Sequence, residues 1–168
     1  MNRDREFSDF VAARWLVLVR TALSLGCSLD EAEDLVQSTL LRAYVAWAKV
    51  MRADHRDAYV ARMLVNAHRE RHRTRRWRES PVATLPDRPL DDQTDVVGTA
   101  HTVARAVAGL SQGQREVVAL RFYVRLTEPE IARALGIAPG TVKSRLSRAL
   151  AALAIDADIT ELRNGGTA

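Results

Sequence analysis

Residues 126–146 read LTEPEIARALGIAPGTVKSRL, and this stretch decides the fold. Thr127 and Glu130 stand three apart, the spacing at which a hydroxyl and a carboxylate close the first turn of a helix. Pro129 falls in that first turn, where a missing N–H costs little. Ile131, Ala132 and Leu135 supply an apolar face, and Ala132 is small where two helices must cross. Gly136 suits the left-handed residue that ends a helix, and Ile137 plugs the turn after it. Pro139 then opens a second helix near its first position. Val142 and Leu146 face inward, while Thr141, Lys143, Ser144, Arg145, Ser147 and Arg148 face outward or flank the outward face. Two short helices joined by a tight turn, the second polar and basic, form a helix-turn-helix. Its second helix has the layout of one that enters a major groove, with Arg and Lys for guanine edges and Ser and Thr for bases or phosphates.

Upstream, residues 99–108 and 112–123 read as two further helices, so the C-terminal part is helical throughout. Before it lies a stretch of different character. Residues 79–98 hold Pro81, Pro86 and Pro89, with Glu79, Asp87, Asp91, Asp92 and Asp95 set against Arg88. Proline removes backbone donors and disfavours helix in the residue before it. A structureless loop this long is uncommon inside a compact domain, so the stretch reads as an acidic tether between two domains.

The N-terminal part reads as three or four helices. One spans about residues 6–25 and ends near Gly26. Ser28, followed by Asp30 and Glu31, caps the next. That helix carries Leu29, Ala32, Leu35, Val36, Thr39, Leu40, Ala43, Tyr44 and Trp47 at the spacing of one buried stripe. A third helix covers about residues 57–76. Its apolar side is Val60, Met63, Leu64 and Ala67. Tyr59, Arg62, Asn66, Arg69 and Arg73 recur every three or four residues as a polar stripe. Six arginines lie between Arg69 and Arg78. Arginine neutralises phosphates and stacks on bases, and aromatic and amide groups beside it suit unstacked single-stranded bases.

Composition narrows the function classes. The 168 residues carry 25 Lys+Arg against 21 Asp+Glu, a net charge of +4. This excess permits nucleic-acid binding, and its clustering in two helices matters more than its sum. Cys27 is the lone cysteine, so no internal disulfide forms and no Cys/His cluster suggests zinc. His68 and His72 stand four apart, but Arg69 occupies the position where a zinc-protease helix needs Glu. No metal or cofactor is expected. There is no P-loop and no nucleophile motif, and the acidic residues lie in a helix start and the proline-rich tether rather than around a metal site, so an enzyme is not expected. With no signal peptide and no membrane-length apolar run, a cytoplasmic protein is the default.

Two separate stretches together resemble one family. AEDLVQSTLLRAY from Ala32, then AYVARMLVN from Ala58 with its arginine tail, resemble domain 2 of bacterial sigma factors. Leu110 to Leu153, with GTVKSRLSRA from Gly140, resembles their domain 4. The order and the acidic linker resemble the extracytoplasmic-function group, and the opening FSDFVAAR from Phe7 resembles an actinobacterial subgroup of it.

The resemblance implies an all-α fold of two small helical domains on a flexible acidic linker. Residues 1–78 would be domain 2, 79–98 the linker and 99–154 domain 4; residues 155–168 are a tail outside the resemblance, whose end over 165–168 is expected to be disordered. Asp34, Gln37, Ser38, Leu41 and Tyr44 would dock on the β′ clamp helices of core RNA polymerase, with a second contact to the β flap. Residues 49–57 with Tyr59, Arg62, Asn66, Arg69, Arg73 and Arg76 would hold the melted −10 element. Thr141, Lys143, Ser144, Arg145, Ser147 and Arg148 would read the duplex −35 element. An anti-sigma factor is a further partner of the family, and no membrane contact is implied. The residues alone leave a free-standing helix-turn-helix regulator as the alternative; no dimer seam accompanies it.

Two departures stand out. Ser38 replaces the acidic residue usual after Gln in the family, which weakens an ionic polymerase contact there. Ala138 occupies the cap before Pro139, where a side-chain oxygen would bond the helix start, a loss of up to about 1 kcal/mol.

Overall fold

The computed structural model describes residues 2–78 and 106–164, with side chains as far as Ala154 apart from that of Arg78. The acidic linker and most of the helix expected over residues 99–108 lie outside the described residues; residues 106–108 are helical. Every regular element among the described residues is an α-helix.

α1 (Arg3–Ser24) starts three residues before its expected position because the Asn2 side chain caps it, accepting from the Asp4 N–H at 3.1 Å. It stops at Gly26, whose φ of +101° lies in the left-handed region that glycine tolerates. α2 (Leu29–Val45) opens with a full capping box: the Glu31 N–H donates to Ser28 Oγ at 3.3 Å, and the Ser28 N–H donates to the Glu31 carboxylate at 2.9 Å. Those hydrogen bonds hold the Glu31 carboxyl below its ordinary pKa. A short α3 (Trp47–Arg52) leads to α4 (Arg56–Arg78).

The stripe read on α2 is buried at Ala32, Leu35, Val36, Thr39, Leu40 and Ala43, and continues into Trp47 of α3. Leu29 departs from it and is more than half exposed. It sits at the first position of the helix, where its side chain stands largely in solvent. The stripe packs on Leu18, Val19 and Ala22 of α1 and on Val60, Leu64 and Ala67 of α4. Leu35 and Leu64 are fully buried, each contributing about 1.5–3 kcal/mol by leaving water. Phe7 and Phe10 meet the Trp47 ring edge-on at 5.2 and 5.4 Å, closing the far end of this core.

In the C-terminal half, α5 (Gln112–Phe122) is capped by Ser111 with Gln114. α6 (Glu128–Leu135) ends at Gly136, φ +66°. α7 (Pro139–Asn164) is the longest helix described. The last helix was expected to be short and to give way to a tail near residue 155. Its backbone instead stays helical to Asn164, since no glycine or proline follows Gly140 until Gly165. Leu120, Leu126, Ile131, Val142 and Leu146 fill the core between α5, α6 and α7.

The sequence held no sign that the two halves pack together. The C-terminal core also takes in Leu25, Ala61 and Val65. α4 is therefore buried on two sides: Val60, Leu64 and Ala67 face the N-terminal core, and Ala61 and Val65 face the C-terminal one.

Candidate nucleic-acid interface

Three surfaces carry the residues singled out in the sequence. On α2, Asp34, Gln37 and Leu41 are exposed along one face. Val45, one turn beyond Leu41, is 76% exposed and extends that face with a second apolar side chain. Val45 was missed, although its spacing from Leu41 was the available signal. Ser38 and Tyr44 are tied inward. The Ser38 hydroxyl donates to the Leu35 carbonyl at 3.0 Å and accepts from Arg71 at 3.2 Å. The Tyr44 hydroxyl donates to Asp4 at 2.7 Å, and the Arg3 guanidinium lies 4.5 Å from the centre of its ring.

On α4 the arginine run divides between two faces, as a 3.6-residue period requires. Arg71 and Arg75 turn to the start of α2: Arg71 donates to the Glu31 carbonyl at 3.5 Å, and Arg75 pairs with the Glu31 carboxylate at 3.1 Å. Arg69, Arg73 and Arg76 point the other way, in line with Arg62 and Asn66. Arg62, Asn66, Arg73 and Arg76 are exposed, and Tyr59 is half-buried. Trp77, at 84% exposure, projects beside them; the spacing of the polar stripe did not single it out. A recess of about 580 Å³ lies among Arg69, His72, Arg73, Arg76, Trp77 and Gln112.

Among the described residues Arg69 is the cation of this stripe that pairs with the C-terminal half. Its Nε and Nη2 donate to the two carboxylate oxygens of Glu116 on α5, at 2.8 and 2.5 Å. Hydrogen bonding to Glu116 raises the Arg69 pKa above its already high ordinary value. Two further polar contacts join the halves. Arg115 donates to the Leu25 carbonyl at 3.4 Å. His55 Nε2 lies 3.7 Å from a Glu130 oxygen. His68 is buried beside the seam, 3% exposed, with neither ring nitrogen hydrogen-bonded. Burial, and then the neighbouring His72, push the His68 pKa down to about 4. The His68 and His72 ring centres are 4.5 Å apart. Among the described residues no three His, Cys, Asp or Glu side chains gather to hold a metal. Cys27 is half-buried, and desolvation raises its thiol to about 11, far from the range of a reactive thiolate.

The helix-turn-helix lies on α6 and α7. The Glu130 carboxylate accepts from both the N–H and the hydroxyl of Thr127, each at 2.8 Å, and the backbone bond keeps its carboxyl below the ordinary pKa. Val142 and Leu146 are buried as expected, and Lys143, Ser147 and Arg148 are exposed. Thr141, Ser144 and Arg145 are half-buried. The Ser144 hydroxyl donates to the Thr141 carbonyl at 3.1 Å. The Arg145 guanidinium lies so close over Gly113 that a β-carbon there would stand 2.9 Å from it. At the start of α7, the Ala138 carbonyl accepts from the Thr141 and Val142 N–H groups at 2.9 and 3.2 Å, and its methyl side chain can add no cap.

A helical unit with an arginine-striped helix, followed by a helix-turn-helix unit, defines a class. Residues 13–78 match the family Sigma-70 region 2, and residues 100–153 match Sigma-70, region 4. The chain belongs to the sigma-70 family of RNA polymerase sigma factors, in its extracytoplasmic-function group.

Among particular relatives, it is 37% identical to the RNA polymerase sigma-E factor of Streptomyces coelicolor, over 91% of this chain and 86% of that one. It is 36% identical to the ECF RNA polymerase sigma factor SigM of Mycobacterium tuberculosis, over 82% of this chain and 69% of that one. Two solved structures are similar along most of their length. One is CnrH in complex with the cytosolic domain of CnrY, with a TM-score of 0.67 at 26% identity, covering 93% of this chain and 90% of that one. The other is the sigma factor RpoE in complex with the anti-sigma factor NepR from Bartonella quintana, with a TM-score of 0.67 at 29% identity, covering 90% and 98%.

Proposed function

We propose that this chain is the promoter-specificity subunit of a bacterial RNA polymerase: it binds core enzyme and directs initiation at promoters carrying its own −10 and −35 elements. The observation that carries this reading is the pairing of two units in one chain, the first matching Sigma-70 region 2 and the second Sigma-70, region 4. Residues 1–78 serve as the unit that binds the clamp and melts DNA. Residues 79–98 serve as the linker and 99–154 as the −35 reader.

Within that division Asp34, Gln37, Leu41 and Val45 form the docking face for the β′ clamp helices, an exposed strip with two apolar anchors and two polar ones. Ser38 and Tyr44 shape its edge, because both are held by neighbours within the unit. Residues 49–57, Tyr59, Arg62 and Asn66 receive an unstacked −10 base. Arg69, Arg73 and Arg76 hold phosphates beside it. On α7, Lys143, Ser147 and Arg148 reach the −35 groove directly. Thr141, Ser144 and Arg145, half-buried, contribute from its flank.

Two modest DNA surfaces on one chain gain through effective concentration once a polymerase holds both. The protein performs no chemistry of its own and needs no cofactor. Among the described residues no helix is long and apolar enough to cross a membrane, and the site of action is the cytoplasm. An anti-sigma factor is a further partner, a reading supported by similarity to a sigma factor solved with one. The test adds the purified chain to core polymerase on promoter-containing DNA. Specific transcripts absent with core alone support the reading. A tight duplex footprint without polymerase, with no specific transcript when polymerase is added, defeats it.

A further inference from the structure

Glu116 is the one buried carboxylate among the described residues, at 2% exposure. It is met by the Arg69 guanidinium through two parallel hydrogen bonds of 2.8 and 2.5 Å, with Gln112 Nε2 donating to one of the same oxygens at 3.2 Å. This is the fork geometry by which a guanidinium takes either a carboxylate or a phosphate. Arg69 lies one turn beyond Asn66 and two beyond Arg62, so it continues the polar stripe of α4. We propose that Arg69 is a phosphate site for the melted promoter strand, filled in the free protein by Glu116 as an internal stand-in for phosphate. The strand and the C-terminal unit then compete for one guanidinium, and the two units part before the strand can bind. The proposal rests on the reading of α4 as the promoter-binding helix.

The surroundings favour competition over a purely structural pair. A strand running from Arg62 and Asn66 to Arg73 passes Arg69, where Glu116 of α5 stands. Near Arg62, a cleft of about 180 Å³ has Tyr59 and Arg62 on one wall and Glu130 and Arg133 of α6 on the other. From the N-terminal unit the apolar seam takes in Leu25, Ala61 and Val65, with Ala58 half-buried against it, fewer side chains than that unit's own core. Opening also leaves no charge stranded. Glu116 would reach water, and Arg69 would exchange one bidentate anion for another, so the penalty of breaking a buried pair outright does not apply. Where the bound form is only partly populated, apparent affinity falls by that fraction.

The test uses the full chain with fluorescein-labelled oligo(dT), a single strand without promoter sequence, read by anisotropy, and small-angle X-ray scattering for the separation of the units. Glu116→Gln keeps shape and removes charge. It is expected to enlarge the particle and to tighten oligo(dT) binding about fivefold or more. Arg69→Ala is expected to enlarge the particle without that gain. The exchanged pair, Arg69→Glu with Glu116→Arg, is expected to restore the compact particle and leave oligo(dT) binding weak. That variant keeps the test decisive should Glu116→Gln fold poorly. Glu116→Gln that opens without tighter binding overturns the proposal, as does an exchanged pair that is compact and binds oligo(dT) more tightly than the unaltered chain. Promoter-specific transcription by Glu116→Gln with core polymerase is measured alongside. Its presence without the oligo(dT) gain removes the competition alone, and its absence in the unaltered chain removes the sigma reading itself.

Discussion

His68 gives the account a pH dependence whose sign and size can be worked out. The ring is buried at the seam and faced by His72 on its own helix, by Arg115 and Glu116 of α5 and by Glu31 of α2. Its pKa falls from the ordinary 6.5 to about 4, so the folded protein holds it neutral. The unfolded chain binds a proton near 6.5, and the folded chain resists one until near 4. Stability from the neutral ring is therefore complete above 6.5 and is lost as pH falls from there toward 4. One pKa unit is worth about 1.4 kcal/mol, so lowering pH from about 7.5 to about 5.5 removes on the order of 1.4 kcal/mol through His68. The assay is urea denaturation followed by far-UV circular dichroism at both pH values, for the native chain and for His68→Leu. Because each protein is compared with itself, any change in absolute stability caused by the substitution cancels. The native chain should lose about 1 kcal/mol more than His68→Leu on acidification. Equal losses would refute the reasoning, because the titrating group would then lie elsewhere.

Other outcomes follow from the same geometry. Ala138→Ser supplies the missing cap of α7 and should stabilise the chain by about 0.5–1 kcal/mol, seen as a higher urea midpoint at unchanged slope. Leu41→Asp, at a side chain 66% exposed, should change stability by less than about 0.5 kcal/mol while weakening core-polymerase binding at least tenfold in a competition assay. Lys143→Ala and Arg148→Ala should each reduce promoter-specific transcripts severalfold without altering the urea midpoint. The half-buried Arg145, set over Gly113, should affect both readouts when replaced by Ala.

Much of the fold could be read from residue spacing. The Ser28 capping box, the α2 stripe and the helix-turn-helix from Thr127 to Leu146 each declare themselves within a few residues, where periodicity and capping act. Leu29 misled because a residue in a helix's first turn can share the spacing of a buried stripe and still point to solvent. The run of α7 past residue 155 was missed because the resemblance ends domain 4 at 154, although nothing between Gly140 and Gly165 breaks the helix.

The docking of the two units was not legible. It depends on Ala61 and Val65, which look like filler between the polar positions of α4, and on Glu116, which looks like any surface glutamate on α5. Only their arrival opposite Leu25 and Arg69 gives them meaning. For the same reason Arg69 could be read as one cation of a stripe but not as the paired one. The division of the arginine run could have been drawn from a helical wheel; the partner of each face could not.

The most direct test of the central claim is to sequence the 5′ ends of transcripts made in vitro by core polymerase on genomic DNA, with and without this chain. The account predicts a new set of starts sharing two upstream elements, lost when Leu41→Asp replaces the native chain. If the same starts appear with core alone, or if none depends on the added chain, the claim is contradicted.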